Sequence, residues 1–259
     1  MFFESHAHYD DKRYNHDRDE LLKSLPASGI DLCLNAGADM RSSKTGIKLA
    51  ERYSYIYASV GIHPHYVKDM KESDITELRR LSKHPKVVAI GEAGLDFHYD
   101  NSPRDAQRHW FKKQLELAIE LGLPAIIHSR ESTMECYEIV KEYAKKGLSG
   151  VLHCYSGSAE IAISYAKLGF YIGIGGVITF PKVRQLLTAV EALPLDKILL
   201  ETDCPYLSPA PYRGDRNDSS KLIYIAKKIA EAKNVSIEEV AGITKENAIK
   251  LFFNKKMLH

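Results

Sequence analysis

The chain has 259 residues, 44% hydrophobic and 27% charged, a balance that fits a globular protein with one substantial core. Its 36 basic and 34 acidic side chains leave a net charge of only +2, so a polyanionic ligand would have to be held locally rather than by a basic surface. Cys33, Cys136, Cys154 and Cys204 form no CxxC motif, and no apolar run reaches the roughly 18 residues that span a bilayer. The start MFFESHAHYDD lacks a signal-peptide pattern. The expectation is a cytoplasmic protein with reduced thiols, no membrane partner and no obligate protein partner.

Along the chain, short apolar or β-branched runs recur. They are MFFESH (1–6), IDLCLNAG (30–37), YIYASVGIH (55–63) and KVVAIGEAG (86–94). PAIIHS (124–129), GVLHCYS (150–156), FYIGIGG (170–176) and KILLETD (197–203) follow. Helical patterns lie between them. The clearest is 102–122, where Ser102 reads as N-cap, Pro103 as the first helical residue and Gly122 as the stop. Apolar runs alternating with helices predict a parallel sheet covered by helices, and eight such units predict a (β/α)8 TIM barrel. A doubly wound open sheet is the alternative, but no GxGxxG follows the first run. No linker or charge shift divides the chain, so one domain over 1–259 is expected.

The run ends carry the chemistry. His6 and His8 close the first, two residues apart and so on one face of a strand. His63 and His65 close the third, Glu92 and Asp96 the fourth, and His128, Arg130 and Glu131 the fifth. His153 closes the sixth, and Glu201 and Asp203 the eighth. In a barrel these ends meet on one face, where active sites are built. A single histidine at a strand end is usually a hydrogen-bonded structural residue. Seven of the 11 (His6, His8, His63, His65, His98, His128, His153) sit there, whereas His16, His84, His109 and His259 read as surface or helix residues. Such clustering predicts a metal site. His6, His8, His128, His153, Glu92 and Asp203 exceed the needs of one tetrahedral ion and suit two divalent ions bridged by a carboxylate, Glu92 being the natural bridge.

These motifs resemble the TatD family of metal-dependent deoxyribonucleases, within the amidohydrolase-like barrel hydrolases. The matching stretches are SHAHYD (5–10), GIHPH (61–65), AIGEAGLDF (89–97), QLELAIELGLPAIIHSRE (114–131), VLHCYSGS (151–158) and ILLETDCPYLSPAPYRGDRN (198–217). They keep family order across nearly the whole chain. The resemblance implies that His6, His8, Asp203 and bridging Glu92 hold one ion, and that His128 and His153 with Glu92 hold the other. It also implies hydrolysis of DNA phosphodiesters, commonly as an exonuclease, with Mg, Mn or Zn. Asp203 and Glu92 are then the catalytic candidates, with Asp203 as general base toward the attacking water. His63, His65 and Arg130 are candidate substrate contacts, and His63 could instead brace a ligand. Glu201 reads as orienting a ligand. Arg213 and Arg216 suit either a phosphate-holding or a self-pinned loop. Glu4, Cys204 and Asp218 depart from the family pattern without removing a ligand. The competing expectation is a metal-dependent hydrolase of small esters or amides, or of aminoacyl-tRNA. A third is a scaffold holding metals only for stability.

Overall fold

The eight apolar runs become eight strands. A computed structural model, which describes residues 1–253, places β1 at Phe2–Ala7, β2 at Ile30–Asn35, β3 at Ile56–Val60 and β4 at Val87–Asp96. It continues with β5 at Ala125–Arg130, β6 at Gly150–Leu152, β7 at Tyr171–Ile174 and β8 at Ile198–Leu200. His259 lies outside the described residues. Each strand pairs in parallel with the next, in the order β1 to β8. The seam between β8 and β1 is drawn together by a parallel bridge between Ala7 and Cys204. There the His8 N–H donates to the Cys204 carbonyl at 2.8 Å, the Asp203 N–H to the His6 carbonyl at 3.0 Å, and Ser5 Oγ to the Leu200 carbonyl at 2.8 Å. The sheet is thereby the expected (β/α)8 barrel.

Nine α-helices lie among the described residues: α1 (Arg18–Ser24), α2 (Met40–Arg52), α3 (Glu72–Leu81), α4 (Arg104–Leu121), α5 (Thr133–Ala144), α6 (Ala159–Lys167), α7 (Arg184–Ala192), α8 (Leu222–Lys233) and α9 (Ile237–Phe253). Local chemistry sets their ends. Asp39 caps α2 by accepting the Ser42 N–H at 2.6 Å, while Ser42 Oγ accepts the Asp39 N–H at 2.7 Å. Gly122 ends α4 in the left-handed conformation, φ 64°. The start of α4 differs from expectation by one residue, because Pro103 is the N-cap. Ser102 is drawn away instead: its hydroxyl accepts the Lys68 N–H at 3.1 Å and its carbonyl accepts Gln107 Nε2 at 2.9 Å.

Two apolar layers hold the barrel. Ile56, Val60, Ile127, Ile172 and Leu200 pack with helix residues such as Phe111, Leu115 and Ile225. Phe3, Ile126, Val151 and Leu199 form a second cluster with Phe252 of α9. Burial of each such side chain is worth about 1.5–3 kcal/mol. Ile126, Val151 and Leu199 precede His128, His153 and Glu201 by two positions, so the second cluster lies on the strand faces that carry the polar groups. An apolar floor therefore supports the polar strand ends.

Candidate metal centre

Four side chains from three distant strands meet first. His6 lies near the end of β1, His8 follows that strand, Glu92 lies within β4 and Asp203 follows β8. His6 Nε2 is 3.1 Å from His8 Nε2, 3.4 Å from Glu92 Oε2 and 3.7 Å from Asp203 Oδ1. His8 Nε2 is 3.8 Å from Glu92 Oε2 and 3.4 Å from Asp203 Oδ1. A tetrahedral ion with N and O ligands at about 2.1 Å would space those ligands about 3.4 Å apart. Five spacings of 3.1–3.8 Å therefore fit a cation of that size. The His8 ring stands with Nδ1 3.1 Å from the Ala36 carbonyl, which fixes that nitrogen as donor and leaves Nε2 free to ligate.

A second set surrounds the other oxygen of Glu92. Oε1 is 2.8 Å from His128 Nδ1, 3.0 Å from His153 Nε2 and 3.4 Å from His63 Nε2. His63, read from sequence as a substrate contact or a brace, thus stands beside the carboxylate itself. It lies beyond β3, where its Nδ1 accepts the His65 N–H at 3.1 Å. His65 is turned the other way: its Nε2 is 2.8 Å from Asp96 Oδ2, and His128 Nε2 is 3.1 Å from the same oxygen. Sequence reasoning gave Asp96 no role. Its position four residues after Glu92 on the same strand was the available signal.

Electrostatics follow from burial and sharing. Burial opposes charge on Glu92, yet His153 and His63 hold it well below the usual carboxylate range. Asp203 is likewise lowered against burial, chiefly by its hydrogen bond to His8. Burial opposes charge on His8 too, but Asp203 and Glu92 lift it to about 9. Burial lowers His6, and lowers His63 to about 4. His153 is raised well above the imidazole range despite burial, by the charges of Glu92 and Glu201. Two ionised carboxylates amid several imidazoles are a donor set that a cation can neutralise as readily as protons do.

The remaining candidates sit further out. Glu201 Oε1 accepts the Cys154 N–H at 2.5 Å and stands 3.4 Å from His153 Nδ1, while Oε2 is buried without a hydrogen-bond partner. Glu4 is fully buried at the seam: it accepts the Thr202 N–H at 2.9 Å, the Thr202 hydroxyl at 2.6 Å and the His6 N–H at 3.2 Å. It therefore ties β1 to the segment bearing Asp203. Arg130 ends β5 on the rim, its guanidinium 4.7 Å above the Tyr99 ring, and Glu131 pairs with His98 at 2.6 Å. Arg216 is engaged by Asp17 at 2.7 and 2.5 Å and Arg213 lies over Phe180, so the 211–217 loop is pinned by its own contacts. A cleft of about 510 Å³ opens over the centre, bordered by His8, His65, Tyr66, Glu92, Asp203 and Tyr206 among others.

Fold and site together define a (β/α)8 barrel whose strand carboxyl ends carry a candidate metal centre. Residues 3–253 match the family described as TatD related DNase. The chain belongs to the TatD family. It is 42% identical over 252 residues to the uncharacterized metal-dependent hydrolase YabD of Bacillus subtilis (strain 168), covering 97% of this chain and 99% of that one. It is 33% identical over 245 residues to the 3'-5' ssDNA/RNA exonuclease TatD of Cronobacter turicensis, covering 93% of each. The crystal structure of YjjV, a TatD homolog from Escherichia coli K12, superposes with a TM-score of 0.91 at 28% identity over 97% of each chain.

Proposed function

We propose that this metal-dependent hydrolase of the TatD family cleaves phosphodiester bonds of nucleic acid, DNA foremost, as an exonuclease using two divalent cations. The observation that carries the reading is the division of Glu92, whose Oε2 faces His6 and His8 while Oε1 faces His128 and His153. His6, His8, Asp203 and Glu92 would hold one cation, and His128, His153 and Glu92 the other, as Mg, Mn or Zn. Relatives named for exonuclease action on DNA and RNA support the choice of substrate.

Bound cations supply positive charge for the phosphate and acidify a water. The chain's own residues do the rest. Asp203, with its side chain 16% exposed, accepts the proton of the attacking water, and its ionised state keeps it ready to do so. Asp96 fixes His65 in the cleft wall, where the imidazole can meet a phosphate oxygen. His63 braces Glu92 from the side. Arg130 offers a cation at the rim.

The test strips the protein with chelator, restores Mg, Mn or Zn, and supplies end-labelled single- and double-stranded DNA beside a panel of small esters and aminoacyl-tRNA. Stepwise shortening of DNA that depends on added metal is expected, with His128→Ala at least about 100-fold slower. Turnover of esters with DNA left intact would replace the nuclease reading by the small-molecule one.

A further inference from the structure

Six large hydrophobic side chains are exposed among the described residues, and three of them, Tyr66 (55%), Tyr99 (53%) and Tyr206 (42%), gather around the centre. Tyr206, on the segment after β8, has its ring 6.4 Å from that of His8. The Arg13 guanidinium lies 4.3 Å from its centroid. Tyr99, just after β4, has its ring 5.3 Å from that of His65, with Arg130 4.7 Å from its centroid. In an eight-stranded barrel ordered β1 to β8, the β8–β1 seam and the β4–β5 pair lie across from one another. Each rim therefore repeats one device: a half-exposed tyrosine with an arginine upon it, beside a histidine of the centre.

Nothing in the core calls for these rings. The Tyr206 hydroxyl makes only a 3.3 Å hydrogen bond to Asp11. An aromatic face takes any nucleobase, and an adjacent guanidinium takes a phosphate, which together are the contacts that hold unpaired nucleic acid. A base inside a duplex has both faces covered by its stacked neighbours and offers none to such a ring.

We propose that Tyr206 with Arg13, and Tyr99 with Arg130, are two nucleobase–phosphate subsites that grip an unpaired strand on both sides of the scissile bond. This rests on the phosphodiesterase reading and adds to it where the bases go. The test uses the full chain loaded with Mn and short single-stranded oligodeoxynucleotides, intact or abasic at the terminal or the penultimate nucleotide. Stacking on one ring corresponds to about 5- to 150-fold in binding. Wild type should lose kcat/KM in that range at each abasic position. Tyr206→Ala should lose its sensitivity to one abasic position and Tyr99→Ala to the other, while Tyr206→Phe and Tyr99→Phe keep the wild-type pattern. Alanine variants as sensitive as wild type to both positions overturn the inference alone. Wild type that cleaves no oligonucleotide overturns the phosphodiesterase reading and this inference with it.

Discussion

Glu201→Gln isolates how the centre is held. The carboxylate is fully buried, with Oε1 taken by the Cys154 N–H and close to His153 Nδ1. Oε2, His153 Nδ1 and His6 Nδ1 are all buried without hydrogen-bond partners, and the His6 and His153 rings stack at 3.9 Å. His6, His153 and Glu201 thus form one buried group spanning both halves of the centre. A Cβ at Gly173 would collide with the Glu201 carboxylate, so glycine there makes the room. The amide keeps the shape and removes the charge that orients the imidazoles. Loss of such an orienting partner lowers metal affinity about 10- to 100-fold, or about 1.4–2.7 kcal/mol. Calorimetric titration of Mn into chelator-stripped protein should show that loss, and saturating Mn should restore most of kcat. Unchanged affinity would refute the reasoning, as would activity that stays lost at saturating metal, because Glu201 would then act on the reaction directly. Gly173→Ala should reproduce the affinity loss by displacing the same carboxylate.

Two further predictions concern pH and the 211–217 loop. In the metal-free protein His8 is lifted from 6.5 to about 9, so the stability its proton contributes is full below about pH 6.5 and is lost as pH rises through about 9. Cation binding displaces that proton, so the rise in melting temperature caused by Mn should grow between pH 6 and 9, and a rise that shrinks would count against His8 as a ligand. Arg216→Ala removes the paired contacts to Asp17, both side chains being about one-third exposed, and should cost about 1 kcal/mol, or about 2–4 °C, with KM for oligonucleotide unchanged. A tenfold rise in KM without a change in melting temperature would return the loop to phosphate binding.

Much of this molecule is legible in residue order. Eight apolar runs dictate eight strands, because continuous β-branched stretches between helical patterns are stable only when covered on both faces. The i, i+2 spacing of His6 and His8 dictates a shared face, and strand ends in a parallel barrel must share one rim. Local signals were weaker at boundaries: Ser102 read as a cap because its preference is local, yet its hydroxyl went to Lys68, 34 residues away, and its carbonyl to Gln107 within the helix.

What only the tertiary structure decided is how the polar groups face one another. Strand order named Glu92 as a bridge. Closure of β1, β3, β5 and β6 around it decided that one oxygen meets His6 and His8, and that the other meets His63, His128 and His153. Asp96 became the shared partner of His65 and His128, Arg130 went to Tyr99, and Arg216 to Asp17. The physical reason is range. Backbone alternation determines which face a side chain takes from its immediate neighbours. The partner it finds there comes from strands and loops dozens of residues away, brought to it by the burial of an apolar core that carries no information about hydrogen bonds.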